Sequence, residues 1–213
     1  MNPKNEIVRV SHLLQAELEP VIVELGAADG DDSEWMRYAA QLHGGRQPRQ
    51  YLVEPDADLC AVIRNERLGK SLGDARLFNW AIAATNDYRT FWRADNELQQ
   101  LRASGSIRRP TGHLIEFPWC TFTETSVNTV TLDTFFADNR LAFIDLLWVD
   151  IQGAERDMIA GGQYALDRTH WLFIEAEEKE LYEGQALRDE LLALLPQFRI
   201  VETFNWNLLL EHK

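Results

Sequence analysis

VIVELGAADGDDS, residues 21–33, begins as an apolar run interrupted only by Glu24 and ends as a polar turn with two glycines and three aspartates. A strand this apolar suits burial on both faces, as in a parallel sheet. The turn after it offers Gly26 and Gly30, where the backbone can come close to a ligand, and then DDSEWMRYAAQLHGG, residues 31–45. That stretch reads as a helix, acidic at its start and stopped by Gly44-Gly45.

The pattern repeats outward from this point. QYLVEP (50–55) predicts a second strand ending in an acid, and DADLCAVIRNERLGK (56–70) a second helix. ARLFNWAIAA (75–84) predicts a third strand. Upstream, Ile7, Val10, Leu14 and Leu18 fall near helical spacing over residues 5–18. Downstream, DYRTFWRAD (87–95) alternates like a strand, and residues 96–113 read as a polar loop. NTVTLDTFFADN (128–139) reads as a strand entering a short helix, IDLLWVDI (144–151) as a deeply buried strand, and QGAERDMIAGG (152–162) as a turn and helix. THWLFIEAEE (169–178) is another strand, and GQALRDELLALLPQF (184–198) an amphipathic helix ended by Pro196. FRIVETF and NWNLLLEH close the chain as two strands. Strands alternating with helices predict a parallel α/β sheet with helices on both faces.

Ligands of such sheets bind outside the carboxyl ends of the strands, so the Gly26–Gly30 turn is the place to look. A dinucleotide site would show GxGxxG, with a pyrophosphate at the helix start. Here the middle glycine is missing and Asp29, Asp31 and Asp32 crowd that position. Like charges repel a diphosphate. S-adenosylmethionine, which carries a sulfonium and an ammonium, suits the acids better. Glu54 stands where a carboxylate takes ribose hydroxyls. The expected cofactor contacts are Glu24, Gly26, Ala27, Asp29, Gly30, Ser33, Glu54 and Pro55, with Asn79 and Ala81 near the adenine and Asp150 near the methyl.

Composition narrows the class. With 46% hydrophobic residues in 213, the chain is long and apolar enough for one folded domain rather than a disordered tract. A net charge of −13 argues against nucleic acid as a partner. No apolar run approaches a membrane span, and MNPKNEIVRV lacks a signal-peptide core. The expectation is a soluble cytoplasmic protein that uses no membrane. Cys60 and Cys120 are too few and too far apart for a disulfide framework or a zinc site. Asp133, Asp150, Glu155 and Glu175 are oxygen donors, but their spacing does not make them converge, and no metal is expected.

The run Val149-Asp150-Ile151-Gln152-Gly153-Ala154-Glu155, followed by Met158-Ile159-Ala160-Gly161-Gly162, resembles the hallmark of the FkbM-like S-adenosylmethionine-dependent methyltransferases. TLDTFF, LFIEAEE, ELGAADG and VEP match further elements of that family, so the resemblance covers roughly residues 20–211. One departure is Gln152, where an acid is commoner. The resemblance implies a Rossmann-like class I methyltransferase fold, a mostly parallel seven-stranded sheet with an antiparallel last strand. It also implies methylation of a hydroxyl oxygen on a sugar or natural product, with residues 87–128 shaping the acceptor pocket.

Methyl transfer to an alcohol needs alignment and a group to take the proton. Asp150 is the first candidate and Glu155 the second. Gln152, Glu175, Glu177 and His113 are candidates for the acceptor side. Trp92 and Trp119 flank the variable segment, as sugar-stacking residues would. Two other classes stay open: a non-catalytic domain that keeps the cofactor pocket, and a NAD(P)-dependent oxidoreductase on a similar sheet.

Overall fold

In the computed structural model, the described residues are 6–7, 9–10, 12–16, 19–44, 47–95 and 103–213. In chain order the first half contains β1 (Val21–Leu25), α1 (Asp31–Gly44), β2 (Arg49–Val53), α2 (Ala57–Val62), β3 (Arg76–Phe78), β4 (Ala81–Ile82) and β5 (Asp87–Ala94). The second half contains α3 (Thr111–Glu116), β6 (Phe122–Val130), α4 (Leu132–Asp138), β7 (Ile144–Val149), α5 (Glu155–Ala160), α6 (Gln163–Leu166), β8 (Thr169–Glu175), α7 (Arg188–Leu194), β9 (Phe198–Thr203) and β10 (Asn207–His212).

Among the described residues the main sheet has seven strands in the order β3-β2-β1-β7-β8-β10-β9. β1 runs parallel to β2 and β7, and β7 parallel to β8, while β10 is antiparallel to both its neighbours. The order reverses between β1 and β7, the crevice where ligands of open α/β sheets bind. Alternate residues of the central strands feed two cores. Val21, Val23 and Leu25 join Leu147, Val149, Phe135 and Met158 on one face. Ile22, Leu146 and Trp148 join Met36 and the amino-terminal Ile7, Val10 and Leu14 on the other. Double-sided burial is why these strands read as continuous apolar runs.

Several elements differ from the sequence reading. The expected strand over 75–84 is split: β3 joins the main sheet, and β4 pairs with β6 in a second, three-stranded sheet of order β4-β6-β5. The strand after residue 121 is far longer than expected, because β6 pairs with the whole of β5. Part of the expected loop is ordered by the same sheet, with Ser106 exchanging two backbone hydrogen bonds with Trp92, at 2.7 and 3.1 Å. The last amphipathic helix shrinks to α7, and the second helix passes from α2 into a wider turn over Ile63–Arg67. Of the expected amino-terminal helix, residues 6–7 and 9–10 are helical and His12–Ala16 form a tighter turn, while Leu18 lies outside the described residues. No described helix is long and apolar enough to cross a membrane.

Candidate active site

The carboxyl ends of β1, β2 and β7 meet in a tight junction. Gly26 N–H and Ala27 N–H both donate to Val53 O (2.9 and 3.1 Å), and Asp150 N–H donates to Leu25 O (3.0 Å). Gly26 has φ +84°, and a Cβ there would overlap the Asp150 carbonyl. Only a residue without a side chain lets β1 turn away while β7 passes this close.

A cleft opens on this junction. It is lined by Gly26, Glu54, Pro55, Asp150, Ile151 and Ala154, by Trp80, Ala81, Ile82 and Phe91, and by Ala103, Gly105, Ser106 and Ile107. Among the described residues, its charged lining is two carboxylates, Glu54 and Asp150, with no Lys or Arg. Such a lining fits a cationic ligand with ribose hydroxyls and an aromatic base, and disfavours a diphosphate.

Glu54 is 5% exposed and bridges two turns, accepting Ala28 N–H on Oε2 and Asp56 N–H on Oε1, each at 2.8 Å. Burial pushes its carboxyl up to about 8, against those two hydrogen bonds. Glu24 lies beneath the cleft, buried, with Ser33 Oγ donating to it. Burial raises its pKa well above the ordinary range, and Asp32 and Asp150 add to the effect. Both Glu24 and Ser33 thus hold β1 to α1 rather than lining the cleft. Asp32, in the first turn of α1, is a further raised acid near this site and not among the expected contacts. Burial and the nearby Asp150 raise it to about 6.

Asp150 opens to the cleft, and its desolvation by the walls raises its pKa. Gln152 Nε2 donates to Asp150 Oδ1 at 2.5 Å and to Glu175 Oε2 at 3.3 Å. Glu175 is raised further, first by burial and then by Asp150, Glu155 and Glu177. Gln152 thus lies between two carboxyls, and the Asp150 charge opposes ionisation of Glu175. Glu177, just beyond β8, is buried and also raised, burial being the main cause.

Other expected residues serve elsewhere. Asp29 does not line the cleft: its Oδ1 accepts Asp31 N–H (3.1 Å) at the start of α1, and Arg67 pairs with Asp29, Asp31 and Glu34. The acidic turn therefore has a cation of its own. Gly30 packs against Arg67 and Ile63, and Ala27 against Leu52 and Ile63. Asn79 does not reach the cleft, because Nδ2 donates to Glu54 O and Pro55 O (3.0 and 2.9 Å); Trp80 packs against the core and lines the cleft beside Ala81. His113 is 3% exposed, packed on Phe117, Phe122 and Tyr182, so it is a core residue rather than one that meets the acceptor from a loop. Burial lowers its pKa. Glu155 is 1% exposed and accepts Gly153 N–H at 3.2 Å, so it shapes the loop below Asp150 instead of meeting the acceptor. Burial lifts it to about 7. Of the tryptophans near the variable segment, Trp119 is exposed and Trp92 lies under the Arg109 guanidinium, 5.5 Å from its ring centre. Asp133 caps α6 through Tyr164 N–H and Ala165 N–H.

Residues 24–202 match the methyltransferase FkbM domain. The chain belongs to the FkbM methyltransferase family. A curated relative, the 2-O-methyltransferase NoeI of Sinorhizobium fredii, is 38% identical over 192 residues, covering 87% of this chain and 75% of that protein. The fold is shared with an rRNA methylase from Streptococcus thermophilus at TM-score 0.51 and 10% identity, covering 96% of this chain and 94% of that one. It is also shared with monomeric WbdD at TM-score 0.54 and 13% identity, covering 100% of this chain and 41% of that one. This FkbM methyltransferase uses S-adenosylmethionine, and the acid-lined cleft fits that cofactor.

Proposed function

We propose that this enzyme methylates a hydroxyl of a sugar or sugar-containing natural product, with Asp150 taking the hydroxyl proton. The observation that carries the reading is Asp150, which lines the acid-lined cleft and is tied through Gln152 to Glu175. The name of the NoeI relative, a 2-O-methyltransferase, supports a 2-hydroxyl as the position.

Bound S-adenosylmethionine supplies a methyl carbon on a positive sulfur, open to in-line displacement. Glu54 is placed to accept ribose hydroxyls on the lone pairs its two backbone donors leave free. Pro55, Trp80, Ala81 and Ile82 would flank the base, and Gly26 lets the amino-acid end approach the backbone. Asp150, ionised, accepts the acceptor's O–H; as the oxygen gives up its proton, the carboxyl pair holds it. A positioned base of this kind contributes about 10²–10⁴-fold.

The domain spans the whole chain in this reading, with 87–128 contributing to acceptor recognition. The acceptor is a small molecule or glycan and not a nucleic acid, as the −13 charge and acid-lined cleft support. The enzyme works in the cytoplasm, where the cofactor is made available.

The test is incubation with S-adenosyl-L-[methyl-13C]methionine and a panel of glycosides and free sugars, with methyl ethers located by mass spectrometry and NMR. A labelled O-methyl sugar supports the reading; transfer confined to nitrogen or carbon acceptors would refute it. Asp150→Asn is expected to keep S-adenosylhomocysteine affinity within about threefold and to lose at least 10²-fold in turnover.

A further inference from the structure

We propose that Tyr182 is a positioning residue: its hydroxyl fixes the side-chain amide of Gln152 so that the amide N–H groups face Asp150 and Glu175, leaving Asp150 as the charged member of the pair. This rests on the reading of Asp150 as proton acceptor.

Tyr182 is 1% exposed, so its hydroxyl needs a partner inside the protein. That hydroxyl lies 2.7 Å from Gln152 Oε1 and 3.0 Å from Ser104 O. One proton serves one acceptor at a time, and the amide oxygen is the nearer. Donation to Oε1 leaves Nε2 pointing the other way, at Asp150 Oδ1 and Glu175 Oε2. The reversed amide would set Oε1 2.5 Å from Asp150 Oδ1. Two acceptors at that distance with an ionised Asp150 repel each other.

The backbone holds the same arrangement from below. Gln152 has φ +53°, a conformation that needs support in a residue with a side chain, and its carbonyl accepts Ser106 Oγ–H at 2.7 Å. Tyr182 packs against bare backbone at Gly153, where a Cβ would stand 2.8 Å from Tyr182 Cβ. Tyr182 N–H in turn donates to Gln185 Oε1 at 3.2 Å.

The position matters because of what surrounds Asp150. Glu24 from β1, Asp32 from α1, Glu54 after β2, Glu155 from α5, and Glu175 and Glu177 at the end of β8 all bear on it, and all are acids. Tyr182 faces it from below as a neutral phenol. Against that field, Gln152 Nε2 is the amide donor on the Asp150 carboxylate. The nearer N–H, at 2.5 rather than 3.3 Å, favours the charge on Asp150 and the proton on Glu175. The tyrosine does not touch the reacting atoms. It also joins this pair to the cleft wall, since Ser104, which accepts from Tyr182, lies beside the lining residues Ala103 and Gly105, and Ser106 lines the cleft itself.

The test follows the carboxyl carbon of Asp150 by NMR against pH, in protein labelled with 13C at aspartate and glutamate carboxyls and saturated with S-adenosylhomocysteine. Asp150→Asn identifies the signal. Tyr182→Phe removes only the hydroxyl and is expected to raise the Asp150 titration by about one pH unit, with S-adenosylhomocysteine affinity within threefold. Gln152→Ala is expected to raise it at least as far, and Tyr182→Phe added to Gln152→Ala to move it no further. An unchanged titration in folded Tyr182→Phe overturns the inference, as does a full additional shift in the Gln152→Ala background. If Tyr182→Phe does not fold, an unchanged titration in Gln152→Ala overturns it and a raised one supports it. Full methyl transfer by Asp150→Asn would remove the proton-accepting role and leave the Tyr182–Gln152 geometry standing, so the two failures are separable.

Discussion

Asp29 and Glu54 show how much a carboxylate's partner decides its role. Both stand beside a glycine turn or a strand end, where a ligand contact was expected. Asp29 is half exposed and already used twice, by Asp31 N–H and by Arg67. Asp29→Ala is therefore expected to weaken S-adenosylhomocysteine binding less than threefold in calorimetric titration, and to cost about 1 kcal/mol or less in denaturant unfolding, the range of an exposed ion pair. A tenfold loss of affinity would put Asp29 back in the site. Glu54 is the opposite case, buried and facing the cleft. Its carboxyl sits at about 8 in the folded, ligand-free protein, against an ordinary glutamate value near 4.5. A raised acid favours the folded state fully below its unfolded pKa and loses that contribution as pH rises through the folded one. Ligand-free protein is expected to lose stability between about pH 4.5 and 8, and Glu54→Gln to flatten that slope. Thermal melts of both proteins across this range check it; parallel slopes would show that Glu54 ionises normally.

At the scale of elements, the turn between β1 and α1 carries the fold's main constraint. Gly26 combines φ +84° with a Cβ position already filled by the Asp150 carbonyl. Strain at such a backbone costs roughly 1–3 kcal/mol alone, and the overlap adds to it by pushing β1 and β7 apart. Gly26→Ala is expected to lower the melting temperature by more than 5 °C and to abolish S-adenosylhomocysteine binding even below the new melting point. Wild-type binding in a folded Gly26→Ala would mean the junction has slack. This turn was legible in the sequence because glycine, strand and acid lie next to one another. The split of 75–84 was not. Apart from Arg76 and Asn79, ARLFNWAIAA is apolar, and its pattern does not show that the chain leaves one sheet for another at Asn79-Trp80. Pairing partners made that decision, β2 for the first half and β6 for the second. The same holds for the site. Asp150 and Gln152 announced themselves in one motif, whereas Tyr182 lies 30 residues away and Arg67 lies 38 residues from Asp29. Contacts across such distances leave no periodicity to read, so Arg67's neutralising role and the burial of His113 came only from the fold.

For the whole molecule, charge and function meet in the ligand-binding pH profile. Asp32, Glu155 and Glu54 are raised to about 6, 7 and 8, each mainly by burial. Around them the chain carries a net charge of −13. A ligand that brings positive charge favours the ionised form of each acid it approaches, so its binding releases protons and tightens as pH rises. S-adenosylmethionine has a net positive charge; S-adenosylhomocysteine lacks the sulfonium and is neutral overall. The affinity ratio of the two is therefore expected to move at least fivefold toward S-adenosylmethionine between pH 6 and pH 8.5. It should fall again as salt is raised from 0.05 to 0.5 M, because the protein's long-range field is screened over roughly 10 Å at 0.1 M. Paired calorimetric titrations in two buffers of different ionisation enthalpy read both the affinity and the protons released. A ratio indifferent to pH and salt would mean that the sulfonium sits away from the carboxylates, and that the acids around Asp150 serve the acceptor alone.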